Sequence, residues 1–430
     1  MTQHDRLRAD AAALQDDLVR LRRDIHRYPE VGLDLPRTQQ AVLNGLAGLG
    51  LEITPGRSLS SVTAVLRGGD RESVAPPGGE PVAAVLLRAD MDALPLTERT
   101  GLDHASRVDG AMHACGHDLH TAMLVGAARL LSAHRAALAG DVVFMFQPGE
   151  EGWNGAARMI EEGVLDAAGP RVRSAYGMHV RSYGSPVGQF RSRPGPLMAA
   201  TAELRVTVHG AGGHGSMPHL GRDPVTVAAE IVTSLQTLVT RRFDVFDPVV
   251  VTVGAIHAGT TSNIIPDTAE INATVRTFST ANQARLRTEV TRLCRHIAEA
   301  YGLTAEVEYL DGYPVTVNDE QQYEFARTVI SEVLGEERFA PLTHPVAAAE
   351  DFSEVLNEVP GCYLILGASG ADDPTKAPPN HSPQAVFDDR ILADGALVHA
   401  ELAIRALRRH AGPPASPGQA PRRPWRRPTP

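Results

Sequence analysis

Short apolar runs alternate with amphipathic stretches through the first half of the chain. Residues 82–87 (VAAVLL), 141–146 (DVVFMF) and 175–180 (AYGMHV) read as strands, as does 362–366 (CYLIL) near the far end. Near-continuous apolar runs of this length fit strands buried on both faces. Between them, residues 121–131 (TAMLVGAARLL) carry helical periodicity, and residues 385–408 predict a closing helix. Strands that alternate with helices predict a largely parallel sheet covered on both sides.

The pattern changes between residues 193 and 315. Residues 202–208 alternate as a half-exposed strand, and 223–241 are helical with Pro224 near the start. Strands follow at 249–253 and 268–276, then a helix at 282–301 and a strand at 304–309. That order, βαββαβ, is ferredoxin-like. Because α/β character resumes afterwards, the expected architecture is one mostly parallel α/β domain, residues 1–192 and 316–410, interrupted by an inserted ferredoxin-like α+β domain, residues 193–315. The Pro- and Arg-rich remainder, residues 411–430, cannot bury a core and is expected to be disordered.

Composition narrows the class. A chain of 430 residues suits two domains. A formal charge of −10 argues against nucleic acid as a partner. No apolar run approaches the ~18 residues of a membrane span, and the opening MTQHDRLRAD lacks the pattern of a secretory signal. Three widely spaced cysteines, Cys115, Cys294 and Cys362, make no disulfide framework, so a reducing compartment, the cytoplasm, is expected.

The densest chemistry is MHACGHDLH, residues 112–120. Cys115 and His117 offer borderline-soft donors that suit Zn, Mn, Co or Ni rather than Ca or Mg. Like the segments RADMDALP, QPGEEG, GMHV and NHSP, it lies beyond an apolar run or before a helix, where an open α/β sheet binds ligands. Glu151, His179 and His381 add a carboxylate and two imidazoles. Five protein ligands exceed the needs of one open catalytic ion, and two ions about 3.5–4 Å apart would use them. Glu150 and Glu151 are neighbours at the end of a strand, so one carboxylate can bind metal while the other serves as a base. His113 reads as structural, and His120 as supporting at most.

Together the motifs RDIHRYPEVG, RADMDALP, MHACGHDLHTAMLVGAA, QPGEE, GMH, GGHGSMPH, SNIIPD, AAAEDFS and NHSP resemble the metal-dependent amidohydrolase family of hippurate hydrolases, N-acyl-amino-acid amidohydrolases and auxin-amino-acid conjugate hydrolases. These are kin to co-catalytic zinc carboxypeptidases. The resemblance implies that Cys115, His117, Glu151, His179 and His381 hold two divalent ions, Zn or Mn, with Ni or Co as alternatives. It implies Glu150 as general base and proton shuttle, and Asp92 and Asp118 as groups that orient ligand imidazoles. It makes the inserted domain a lid and dimerisation domain. There His214 and Asn263 would stabilise the oxyanion and bind substrate, often in a partner subunit's site, and Arg276 would clamp a substrate carboxylate. A homodimer is implied, with a tetramer as the alternative.

The chain departs from the family at two places. Gly149 stands where members often have alanine, and Asp90 stands where wider relatives place a histidine ligand. The expected activity is hydrolysis of N-acyl amino acids. Alternatives are a small-peptide carboxypeptidase, a thiol hydrolase with Cys115 as nucleophile, and a non-catalytic metal-binding scaffold on the same fold.

Overall fold

Alternation along the predicted strands sorts their side chains onto two faces, and both faces are covered. In a computed structural model that describes residues 2–69 and 82–411, Val85, Leu87 and Ala89 enter one apolar cluster while Ala84 and Leu86 enter another. Val142, Phe144 and Phe146 divide in the same way from Val143 and Met145. This two-sided burial is why the runs read as continuously apolar. The predicted tail falls outside the described residues, apart from Ala411.

In chain order the strands are β1 (Glu52–Pro55), β2 (Val62–Leu66), β3 (Ala84–Asp90), β4 (Asp141–Gln147), β5 (Ser174–Arg181), β6 (Phe190–Ser192), β7 (Gly195–Met198) and β8 (Ala200–His209). Then come β9 (Gly213–His214), β10 (Val249–Ala258), β11 (Ile264–Ile265), β12 (Thr268–Thr277), β13 (Thr304–Asp311), β14 (Thr316–Asn318), β15 (Phe339–Pro341) and β16 (Gly361–Gly367). The helices are α1 (Gln3–Arg27), α2 (Pro36–Leu46), α3 (His117–Ala133), α4 (Gly155–Glu161) and α5 (Pro224–Arg242). They continue with α6 (Thr280–Ala300), α7 (Glu320–Leu334), α8 (Phe352–Glu358) and α9 (Leu392–Ala411).

The main sheet has the order β1-β2-β4-β3-β5-β16-β6-β15, and its centre, β4-β3-β5-β16, is parallel. Helices α1, α2, α3, α7 and α9 cover one face, and α4 and α8 the other. The closing helix begins at Leu392, later than its apolar pattern suggests. Ala385 and Phe387 are buried without being helical: Phe387 bridges to Ser369, and Asp388 accepts the Arg390 N–H to cap a single tight turn.

The insertion forms a separate antiparallel sheet in the order β10-β12-β8-β13. It has its own apolar cluster, in which Leu204, Ile271 and Val275 pack with Ile231 and Leu235 of α5 and Val290 of α6. Asp223 caps α5 through the Val225 N–H, and Ser279 caps α6 through the Asn282 N–H, so both starts are coded locally. The order of elements is the ferredoxin-like one read from the sequence.

Candidate active site

Four segments arrive together at the carboxyl ends of the central parallel strands. Asp92 follows β3, Glu150 and Glu151 follow β4, His179 lies near the end of β5, and His381 is in the loop after β16. Cys115 and His117 come from the start of α3, whose cap residue Gly116 has φ +86°. A Cβ at Gly116 would stand 2.3 Å from Val180, so both conformation and space demand glycine between the two candidate ligands.

The donor atoms form overlapping triads. Cys115, His117 and His179 make one, Cys115, Glu151 and His381 a second, and His117, Glu150 and Glu151 a third. The Cys115 sulfur lies 3.3 Å from Nε2 of both His179 and His381, so one thiolate can serve two centres. His381 Nε2 is 3.2 Å from the Glu151 carboxylate, and His117 Nε2 is 4.0 Å from that of Glu150. His381 holds φ +69°, rare for a residue with a side chain, and its N–H donates to the Ala114 carbonyl.

Neighbouring groups fix the imidazoles. His179 Nδ1 donates to the Val180 carbonyl (2.7 Å), and His117 Nδ1 to the Asp92 carbonyl (2.9 Å), which leaves both Nε2 atoms turned to the site. His117 Nε2 is buried without a hydrogen-bond partner among the described residues. An unpaired buried nitrogen is costly, and a cation removes the cost. The donor set of one thiolate, three imidazoles and one carboxylate fits divalent transition metals.

Electrostatics divide the donor set: burial opposes the charge of His117, yet Asp90 and its other neighbours raise it well above the usual histidine range. Burial and the neighbouring His120 hold His179 well below the usual histidine range, so it is neutral and able to ligate. Burial and Glu151 push the Cys115 thiol up, so it becomes a thiolate only beside a cation. His381 is raised to about 10 through Cys115 and Glu151. Burial raises Glu150 well above the carboxylate range, helped by Glu350, Glu151 and Asp351. A carboxylate so placed takes up a proton readily.

The turn that carries Glu150 does not hold itself. Gly149, Gly152 and Asn154 all have positive φ, +73°, +87° and +53°. Glycine suits position 149, where a Cβ would meet Leu33 at 2.5 Å. Two side chains anchor the turn. The Asp92 carboxylate accepts the N–H groups of Glu150 (2.9 Å) and Glu151 (3.0 Å). The Tyr313 hydroxyl donates to the Glu150 carbonyl and accepts from the Gly152 N–H (2.7 Å). Tyr313 lies where the chain returns from the insertion, and its backbone pairs with Thr201 on the outgoing crossing.

Several residues that the sequence reading gave no role, or left in doubt, support the ligands. Asp90 is 3.6 Å from His117 Nε2, but its oxygens are held by Arg88 and His120. Burial opposes its charge, and Arg88 more than offsets this, holding it well below the usual range. Arg88, fully buried, also binds Glu350, Asp351 and Gln147. Asn380 donates to the carbonyls of Cys115 and Val180 and so ties the His381 loop to both ligand segments. Asp118 does not face the ligand imidazoles. It binds Arg22 (2.7 Å) and His26 (2.8 Å), joining α1 to α3 behind the site.

A cavity of ≈ 510 Å³ opens over the ligands, within the range of small-molecule sites. Arg276 and Thr201 line it from the insertion, together with Tyr313, and Arg181 and Tyr183 from the end of β5. His214 and Asn263 do not line it. They flank the short β9–β11 pairing at the insertion's surface, where His214 stands opposite Ile264 and the Gly215 N–H donates to the Asn263 carbonyl, and both are exposed. His214 Nδ1 accepts the Ser216 N–H, which puts the ring proton on Nε2.

Relatives share this framework nearly end to end. The chain is 37% identical to thermostable carboxypeptidase 1 of Saccharolobus solfataricus over 93% of its own length and 98% of that protein. It is 35% identical to N-acetyl-L-cysteine deacetylase of Bacillus subtilis, covering 92% and 89%. The crystal structure of a dinuclear metal binding peptidase of the M20 family from Bacillus subtilis superposes with a TM-score of 0.78 at 32% identity, covering 92% and 99%. The model of peptidase family M20/M25/M40 matches residues 86–405, and the chain belongs to that family.

Proposed function

We propose that the protein hydrolyses the amide bond of N-acyl amino acids at a pair of divalent ions, Zn or Mn, held by Cys115, His117, Glu151, His179 and His381. The observation that carries this reading is Glu150, a buried carboxyl held on a doubly anchored turn beside the ligand set. Bound there, the ions would supply Lewis acidity, acidifying a water and polarising the acyl carbonyl. Glu150 accepts the proton of the attacking water and passes it to the amine nitrogen as the C–N bond breaks. The products are a carboxylic acid and an amino acid. Arg276, in the cavity wall without a carboxylate partner among the described residues, binds the α-carboxylate.

His214 Nε2–H and the Asn263 amide supply oxyanion donors from the insertion of a second subunit. Their exposure, and the fact that neither lines this chain's own cavity, support that assignment. The insertion's outer strand β10, which exposes Val250 and Ile256, is the edge through which two copies would pair, with a tetramer as the larger alternative. Three free cysteines, none paired in a disulfide, support a reducing compartment such as the cytoplasm. The name of the Bacillus deacetylase supports N-acyl amino acids as substrates, and that of the Saccharolobus carboxypeptidase supports small peptides as the second reading.

The test is chelation with EDTA, then reconstitution with Zn, Mn, Co or Ni singly. Each form is assayed on N-acetyl and N-benzoyl amino acids and on dipeptides. Activity should vanish on chelation, return with metal, and be highest on N-acyl amino acids. Survival of activity without metal would establish the thiol reading, and higher turnover of dipeptides the carboxypeptidase one.

A further inference from the structure

The polar groups that line the cavity away from the ligands are mostly committed to the protein. The Tyr313 hydroxyl is spent on the catalytic turn, Thr201 Oγ1 accepts the Tyr313 N–H, and the Asn380 amide holds the Cys115 and Val180 carbonyls. Two guanidinium groups remain. Arg276 donates to Thr274 and to the Val275 carbonyl, and Arg181 donates to the Tyr183 hydroxyl (2.8 Å). Neither has a carboxylate within ion-pair distance among the described residues. An N-acyl amino acid with a neutral acyl group and side chain brings one carboxylate, which would satisfy only one of them.

Arg181 is also held in place. Its guanidinium lies 4.4 Å from the centroid of the Tyr183 ring, and its backbone ends β5 two residues after His179. Stacking on an aromatic face pre-organises the planar fork and leaves its remaining N–H donors free for a bidentate carboxylate. We infer that Arg181, with Tyr183, forms a second anion subsite, so the preferred substrates carry two carboxylates. The second carboxylate belongs either to the side chain of the amino acid or to a dicarboxylic acyl group. This rests on the hydrolase reading above for turnover, though not for binding.

Two pairs of matched compounds separate the sources: N-acetylglutamate against N-acetylglutamine, and N-succinyl-leucine against its terminal amide. The wild type should favour the acidic member of one pair by about 10-fold or more in kcat/KM, the yield of one charge-assisted contact. The pair that shows the preference identifies which end bears the carboxylate. Arg181→Met should reduce that ratio to within about 2-fold, as loss of one discriminating contact requires. Equal rates in both pairs, or a preference that survives Arg181→Met, would overturn the assignment. Should the wild type turn over none of these compounds, the panel above decides the hydrolase reading and binding alone decides the subsite. Glutarate should then bind the protein more tightly than butyrate by calorimetry, and Arg181→Met should abolish the difference. Equal binding overturns the subsite as well.

Discussion

Around His117 the polar groups are buried and cross-bonded, whereas His214 and Asn263 stand at the insertion's surface with donors that nothing among the described residues accepts. The first region is organised by the fold itself, since strand ends, a capped helix start and buried carboxylates leave each ligand little freedom. The second is a two-residue β pairing with exposed polar side chains beside it. In the proposed function, the contrast separates what one chain completes, metal binding and the proton shuttle, from what it presents outward.

Breaking the crevice should have the largest effect. Arg88 sits among Asp90, Glu350 and Asp351, all buried. Arg88→Met leaves those charges uncompensated and should cost ~3–5 kcal/mol of stability, measured by chemical denaturation. An equal loss would not follow any substitution at the exposed tip.

The tip should instead fail in activity. His214→Ala is expected to lower kcat ~10²–10³-fold with the melting temperature unchanged, as for loss of an oxyanion donor. Mixed with Glu150→Gln subunits it should regain activity, up to roughly a quarter of wild type if each site takes His214 from its partner in a twofold dimer. No regain on mixing would place His214 in its own chain's site.

Tyr313 joins the two regions, because it lies at the return from the insertion and holds the Glu150 turn. Tyr313→Phe should lower kcat about 10-fold, the equivalent of one lost hydrogen bond in the transition state, with KM and metal content held. A change in KM alone would make Tyr313 a substrate contact instead.

Much of the crevice was legible before any coordinates, because its ligands are rare residue types at the ends of apolar runs. Cys115, His117 and Glu151 stand out on that ground. Arg88, Tyr313 and Asn380 did not, since their roles depend on which strands lie side by side, and an Arg or Tyr near a strand end is commonplace. The family resemblance gave Asp118 the role of orienting a ligand imidazole, but on a helix adjacent residues point about 100° apart. It faces α1 instead. The insertion was legible as a fold from its strand and helix periods. Its exposed tip, by contrast, has no partner in the sequence to read against.

The smallest effect concerns the support behind the site. Burial opposes the charge of Glu98, yet bonds from His26, Thr100 and the Ser106 N–H lower it from 4.5 to about 2. A carboxylate depressed in this way stabilises the fold above pH 4.5 and loses that contribution as the pH falls toward 2. The melting temperature of Glu98→Gln should therefore lie below that of wild type at neutral pH, and the gap should close in acid. A gap that widens on acidification would contradict the assignment.

The central claim is that Glu150 moves the proton while other residues hold the metal. Glu150→Gln keeps the shape of the side chain and removes its basicity. Elemental analysis and turnover of N-acyl amino acids, measured on the same preparation, decide the matter. Two metal ions per chain, as in wild type, and a kcat lower by ~10²–10⁴-fold are expected. Full metal with undiminished turnover would contradict it.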